Sequence, residues 1–190
     1  IVGQKNPTIA TYAKEGMVDI KIVARGKDEE KLDNIINEII NKIGEKIPKY
    51  IYSYNDESIE EVVYKKLKLK NMKIAFCESC TGGQIASRFT QIPGVSEVFD
   101  RGIVTYSNKS KIEELNVSKN TLEKYGAVSE QVALEMATGL LNKTDVDIAL
   151  STTGIAGPSG AVEGKPVGLV YIGIATRENI FAIKSLFKGD

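Results

Sequence analysis

The 190-residue chain contains no histidine. That absence excludes Ser-His-Asp and Cys-His catalysis, together with every zinc site that needs imidazole ligands. Any serine chemistry must therefore take lysine, tyrosine or a carboxylate as its base. Cysteine is nearly as scarce: the two present, Cys77 and Cys80, form a C-x-x-C. Two thiolates without histidine do not complete a tetrahedral zinc site, and Cys77 falls in an apolar run, so reduced, buried packing is favoured over a redox pair. Net charge is missing too, with 25 basic residues against 25 acidic. The broad field that draws nucleic acid or an anionic membrane is absent, and nucleic acid is not expected as a partner. No apolar run approaches the roughly 20 residues that cross a bilayer, and no signal-peptide pattern opens the chain. A cytoplasmic protein without a membrane partner is expected. At 42% apolar content there is material for one ordinary core and a small second one. The chain opens on Ile1 without a methionine and stops at Asp190 just after a strand-like run, so a fragment of something longer is expected.

Two extended segments, TIATYA and VDIKIVA, joined through Glu15-Gly16, predict a hairpin. After Asp28, an N-cap residue, the spacing of Leu32, Ile35, Ile36, Ile39, Ile40, Ile43 and Ile47 predicts one long amphipathic helix ending near Pro48. Together these make a small α+β module. Ser58-Ile59-Glu60-Glu61 fits a capping box and opens a second domain, whose first helix presents Ile59, Val62, Val63 and Leu67. Strands and helices then alternate: KIAFC, a helix to about Gln91, GIVTY, two short helical pieces, a helix from Ser129 with the face Val132, Ala133, Met136, Ala137, Leu140 and Leu141, then DIALS, GLVYIGIAT and IFAIKSLF. This alternation predicts a three-layer α/β/α sheet domain, its last two strands an antiparallel hairpin through Arg177-Glu178-Asn179.

Glu78-Ser79-Cys80-Thr81-Gly82-Gly83 sits where KIAFC stops and the helical QIASRF begins. It reads as a strand-to-helix turn that lifts a hydroxyl off the sheet edge, with glycines that let a ligand approach backbone amides. Two further loops, YSNKSK and TTGIAGPSG, leave the ends of other strands, and loops at the carboxyl ends of neighbouring strands meet in one crevice. Together they offer Ser79 as a nucleophile, the phenol of Tyr106, the amide of Asn108, the amines of Lys109 and Lys111, and two glycine-rich backbone cradles. This is the inventory for acyl transfer without histidine. Each part also has a plain structural explanation, as a turn, a surface lysine or a strand-end aromatic, and it is their conjunction that points to chemistry. A lysine acting as base must bring its pKa from about 10.4 to about 7, which costs roughly 4.6 kcal/mol and calls for burial or a neighbouring positive charge. The S-x-x-K of penicillin-recognising enzymes is not matched, since Gly82 stands where their lysine would be. Gly154-Ile155-Ala156-Gly157 spells the G-x-x-G of an RNA clamp but follows a strand and ends at Pro158, outside the helix-turn-helix context that clamp needs.

The ordered motifs ESCTGG, VTYSNKSK, GAVSEQVA, STTGIAGPSG and GKPVGLVYIG resemble the carboxy-terminal domain of the CinA proteins, also found alone as the nicotinamide mononucleotide deamidase PncC. KNPTIATYAKEGMVDIKIVA, Lys5 to Ala24, resembles the KH-like linker of long CinA proteins. The resemblance implies a partial KH-like module over residues 1–52 and an amidohydrolase domain over residues 56–190, cut short at its carboxyl end. It also implies hydrolysis of the carboxamide of nicotinamide mononucleotide to nicotinate mononucleotide and ammonia, in a homodimer, without metal or cofactor. The alternative it leaves is a catalytically weak nucleotide-binding or protein-interaction module. Carried onto matching positions, Ser79 is the nucleophile, Lys111 its base and Tyr106 a helper in proton transfer. Thr81, Gly82, Gly83, Asn108, Thr153, Gly154, Ala156 and Gly157 are then substrate-binding, their amides and hydroxyls directed at the oxyanion or the phosphate. The substrate's pyridinium charge would itself lower the pKa of a nearby amine. Cys77 stands where the family commonly has alanine, a packing change, and Lys109 where members vary.

Overall fold

A computed structural model describes residues 6–14 and 16–188, in two units, Ile1–Asp56 and Glu57–Asp190. In the first unit, β1 (Thr8–Lys14) pairs antiparallel with β2 (Met17–Val23), Thr8 opposite Val23 and Lys14 opposite Met17. Of the expected turn, Glu15 lies outside the described residues, and so do Ile1, Lys5 and Asp190, which figured in the readings of the termini and the linker. Gly16 takes φ +73°, the left-handed conformation a tight reversal needs. Helix α1 (Glu29–Lys46) is capped by Asp28, whose carboxylate accepts from the Lys31 amide, and it buries Ile39. Pro48 opens a short 3-10 turn through Tyr50.

The second unit opens with α2 (Ile59–Leu69), whose capping box is formed as expected: the Ser58 hydroxyl accepts from the Glu61 amide and the Glu61 carboxylate accepts from that of Ser58. Its apolar face differs from the expected one. Leu67 is buried with Tyr64 against it, whereas Ile59 and Val63 are exposed. There follow β3 (Ile74–Glu78), α3 (Gln84–Phe89), β4 (Phe99–Val104), α4 (Asn108–Leu115), α5 (Lys119–Tyr125), α6 (Glu130–Asn142), β5 (Ile148–Gly154), β6 (Leu169–Thr176) and β7 (Ile180–Leu186). The sheet order is β4-β3-β5-β6-β7. The first three strands run parallel, with Cys77 level with Ile103 on one side and Ser151 on the other. Strands β6 and β7 form the antiparallel hairpin, and β6 is also antiparallel to β5, a pairing that alternation along the sequence does not specify.

Helices flank both faces, because side chains alternate along each strand. From β3, Ala75 and Cys77 join Leu115 of α4, Leu122 of α5 and Val132, Met136 and Leu140 of α6 in one apolar cluster. Ile74 and Phe76 face the other way, onto Leu67 of α2 and Phe89 of α3. Phe76, Phe89 and Phe99 stack there with centroids 5.1 to 5.7 Å apart. Each of the large side chains buried this way stabilises the fold by about 1.5–3 kcal/mol.

Helices α4 and α6 meet at a glycine. A Cβ on Gly139 would lie 1.8 Å from the Leu115 carbonyl oxygen, so no side chain fits without separating the helices. Gly139→Ala is expected to cost about 1–3 kcal/mol or more and to lower the melting midpoint by several degrees. An unchanged midpoint in a thermal scan would refute this account of the α4–α6 approach.

Candidate active site

Three strand ends build the site. Because β4, β3 and β5 are adjacent and parallel, their carboxyl ends lie side by side, and the segments leaving them converge. Alternation along β3 then separates two consecutive residues: Glu78 points under α3 and Ser79 points toward α4. The Ser79 amide donates to the Thr152 carbonyl at 3.0 Å, and the Thr105 amide to the Glu78 carbonyl at 2.8 Å, so both neighbouring strands hold the turn in place.

The YSNKSK segment, expected as a loop, is a helix start. Ser107 caps α4, exchanging hydrogen bonds with Ser110, and Lys111 lies in the first turn. This places Lys111 inward: its side chain is 1% exposed. Its Nζ lies 2.9 Å from Ser79 Oγ, 2.7 Å from the Thr105 carbonyl oxygen and 3.4 Å from that of Tyr106. As an ammonium it donates to all three. As a neutral amine it has two hydrogens and one lone pair; the carbonyls can only accept, so they take the hydrogens, and the lone pair is left for the Ser79 hydroxyl to donate into. Both protonation states are thus accommodated without rearrangement.

Burial pushes the Lys111 amine below the ordinary lysine range, since desolvation disfavours the charged form. Thiolates at Cys80 and Cys77 would oppose that shift. Both thiols are themselves pushed up by burial, Cys77 further by the charge of Glu78, so neither carries charge near neutral pH. No ion pair among the described residues includes Lys111, whereas Lys109 is an exposed side chain 3.7 Å from Glu113.

The glycine-rich turn differs from its expected role. Gly82 and Gly83 have φ +59° and +96°, so glycine is required for the chain reversal. Their amides, however, are committed inside the protein: Gly82 donates to the Ser79 carbonyl at 3.1 Å and Gly83 to Glu78 Oε2 at 3.0 Å. Neither is free for an oxyanion or a phosphate. The amides of Cys80 and Thr81 donate to the Cys80 sulfur and to no main-chain group among the described residues. The Thr81 hydroxyl is 2.8 Å from that of Thr152.

Thr153 and Gly154 also depart from expectation, lying inside β5 opposite Tyr171 and Val170 rather than in a loop. The Thr153 hydroxyl donates to the Ala127 carbonyl at 2.8 Å. A Cβ on Gly154 would fall 2.6 Å from the Leu169 carbonyl oxygen, so the glycine serves strand packing. The loop proper begins at Ile155; Ala156 is exposed in it, and Gly157 takes φ +92°. Asn108 is exposed at the start of α4. The phenol of Tyr106 is 74% exposed, and it is the main-chain carbonyl of this residue that reaches Lys111.

Sequence reasoning passed over Glu78. It is 0% exposed and accepts from the amides of Gly83, Ile85 and Ala86 at 2.9 to 3.1 Å. A signal existed: a carboxylate ending an apolar strand must find partners, and a helix opening on glycine has no side chain of its own to cap it. Among the described residues no group of three or more acidic or sulfur side chains could hold a metal ion, and no helix is long and apolar enough to cross a membrane.

Residues 56–190 match the CinA C-terminal domain, and residues 1–53 match the KH domain of damage-inducible CinA proteins. The chain belongs to the CinA family. A CinA-like protein of Kosmotoga olearia is 47% identical over 190 residues, covering 100% of this chain and 46% of its own length. One of Dictyoglomus thermophilum is 46% identical over 187 residues, covering 98% and 46%. The chain thus spans about half the length of the curated relatives it matches. Among solved structures, the competence/damage inducible protein CihA of Agrobacterium tumefaciens superposes with a TM-score of 0.67 at 40% identity, over 72% of this chain and 85% of that one. A CinA superfamily protein of Escherichia coli gives 0.68 at 32% identity, over 73% and 83%.

Proposed function

We propose that this CinA chain is an amidohydrolase that converts nicotinamide mononucleotide to nicotinate mononucleotide and ammonia. The observation that carries the reading is the buried amine of Lys111, 2.9 Å from Ser79 Oγ, with two carbonyls taking its other hydrogens. In this reading Ser79 Oγ attacks the carboxamide carbon while its proton passes to Lys111. The oxyanion that forms is met by the Cys80 and Thr81 amides. Lys111 then returns the proton to the departing nitrogen, the C–N bond breaks, and ammonia leaves an ester on Ser79. Water attacks that ester with Lys111 again as base, releasing the carboxylic acid and restoring the hydroxyl. Tyr106, an exposed side chain beside Lys111, enters as a phenol that reaches the leaving group once substrate is bound. Asn108, Ala156 and Gly157 enter as contacts for the rest of the nucleotide.

A pyridinium substrate supports this reading because its fixed positive charge adds to the desolvation that already disfavours ammonium at Lys111. The reading includes a homodimer. Purified protein incubated with nicotinamide mononucleotide is expected to release ammonia and nicotinate mononucleotide in equal amounts. No release would reject the enzyme and favour a binding or interaction module.

A further inference from the structure

We infer that Glu78 is a positioning residue for the nucleophile turn, an inference that rests on the Ser79–Lys111 reading above. Its carboxylate is wholly buried at the end of an otherwise apolar strand, yet no ion pair found among the described residues includes it. Backbone amides satisfy it instead: Oε2 accepts from Gly83 at 3.0 Å and Ile85 at 3.1 Å, and Oε1 from Ala86 at 2.9 Å. Helix α3 opens on Gly83, and no side chain from its own N-cap bonds to it. Glu78 supplies the missing cap from the strand beneath, joining the end of β3 to the start of α3 across the two positive-φ glycines.

Glycine pairs lose much conformational freedom on folding, so a turn built on them needs an external clamp. The clamp here is the residue adjoining Ser79. Any displacement of Glu78 passes through one peptide unit to the Ser79 Oγ, whose 2.9 Å approach to Lys111 requires a fixed turn. Glu78 also closes the α3 amides to any anion from outside, because a carboxylate of the protein already occupies them. Glu78 acts through the hydrogen bonds that fix the turn.

Glu78→Gln keeps the shape but turns an N–H toward at least one of the three amides. The purified variant is expected to lose about 100-fold or more in kcat on nicotinamide mononucleotide, with KM within about threefold and the pH midpoint of the Lys111 limb unmoved. Labelling of Ser79 by a fluorophosphonate, followed by mass spectrometry, is expected to slow at least tenfold, and hydrogen exchange at Gly83, Ile85 and Ala86 to quicken. A kcat per folded molecule within threefold of wild type would overturn the assignment. If Glu78→Gln does not fold, Glu78→Asp, which keeps the charge but withdraws it by one methylene, is expected to show the same split between kcat and KM. A wild type that is labelled at Ser79 but releases no ammonia would reject the substrate and leave the labelling rates to decide the role of Glu78.

Discussion

Ser79→Ala is expected to abolish ammonia release from nicotinamide mononucleotide, by about 10⁴-fold or more, because it removes the atom that forms the covalent intermediate. The variant should fold. Ser79 is 8% exposed, and the substitution forfeits a hydroxyl with one side-chain contact, to Lys111 at 2.9 Å, so the stability cost is of the order of 0.5–1.5 kcal/mol. Its turn is unaffected, since the Gly82 bond to the Ser79 carbonyl and the Ser79 bond to Thr152 are made by main-chain groups. Substrate should still bind with an affinity close to that of wild type, because the contacts proposed for the nucleotide lie elsewhere. Rapid quenching of wild type should trap an acyl adduct on the peptide bearing Ser79, and the variant should show none. Equal ammonia release by the two proteins would sink the mechanism.

Much of the frame was legible. Helix α6 could be read because six apolar positions repeat at helical spacing behind Ser129, and five of those six are buried. Strand β3 could be read because its first four residues, buried on both faces, form an unbroken apolar run. What escaped the sequence has physical reasons. Ile59 and Val63 share a helical stripe, but spacing shows which residues lie together and not what covers them. The start of α4 reads as a loop because Ser107 to Ser110 are polar and the cap closes on a serine at the third position, where glutamate is the usual cue. Thr152 to Gly154 read as loop because glycine ended the apolar pattern, although β-branched threonines suit a strand. The direction of β6 against β5 leaves no trace in a period of two.

The site was legible as a list of residues but not as a set of bonds. Ser79 and Lys111 are 32 positions apart, and their approach depends on parallel pairing of β3 with β4 and on the cap at Ser107. Glu78 shows the limit more sharply. Its partners lie five to eight residues on, in backbone amides that no side-chain pattern marks. The glycines that read as donors instead shape a turn whose amides the Glu78 carboxylate and the Ser79 carbonyl already hold.

Lys111 carries the second large effect, one that separates catalysis from stability. Lys111→Met is expected to lower kcat by about 10²–10⁴-fold, as loss of a general base does. Combined with Ser79→Ala it should add little, because the two residues act as a unit. Lys111→Arg should be as inactive as the methionine variant, since guanidinium keeps its proton at any pH the fold tolerates. In wild type the amine titrates below the ordinary lysine value because of burial. Activity should therefore rise with pH through that lowered value as the neutral form accumulates. Stability moves in the same direction. Between the folded pKa and the unfolded value of about 10.4 the unfolded chain binds the extra proton, so unfolding free energy increases with pH across that window. Below the folded pKa the burial penalty on the ammonium is fully present. Lys111→Met removes the titrating group and should flatten this slope, at the cost of leaving the Thr105 and Tyr106 carbonyls one donor short. Denaturant titrations of wild type and Lys111→Met across neutral to alkaline pH read the difference directly. Parallel curves for the two proteins would mean that Lys111 is protonated in the folded state, and the proposed base would then be lost.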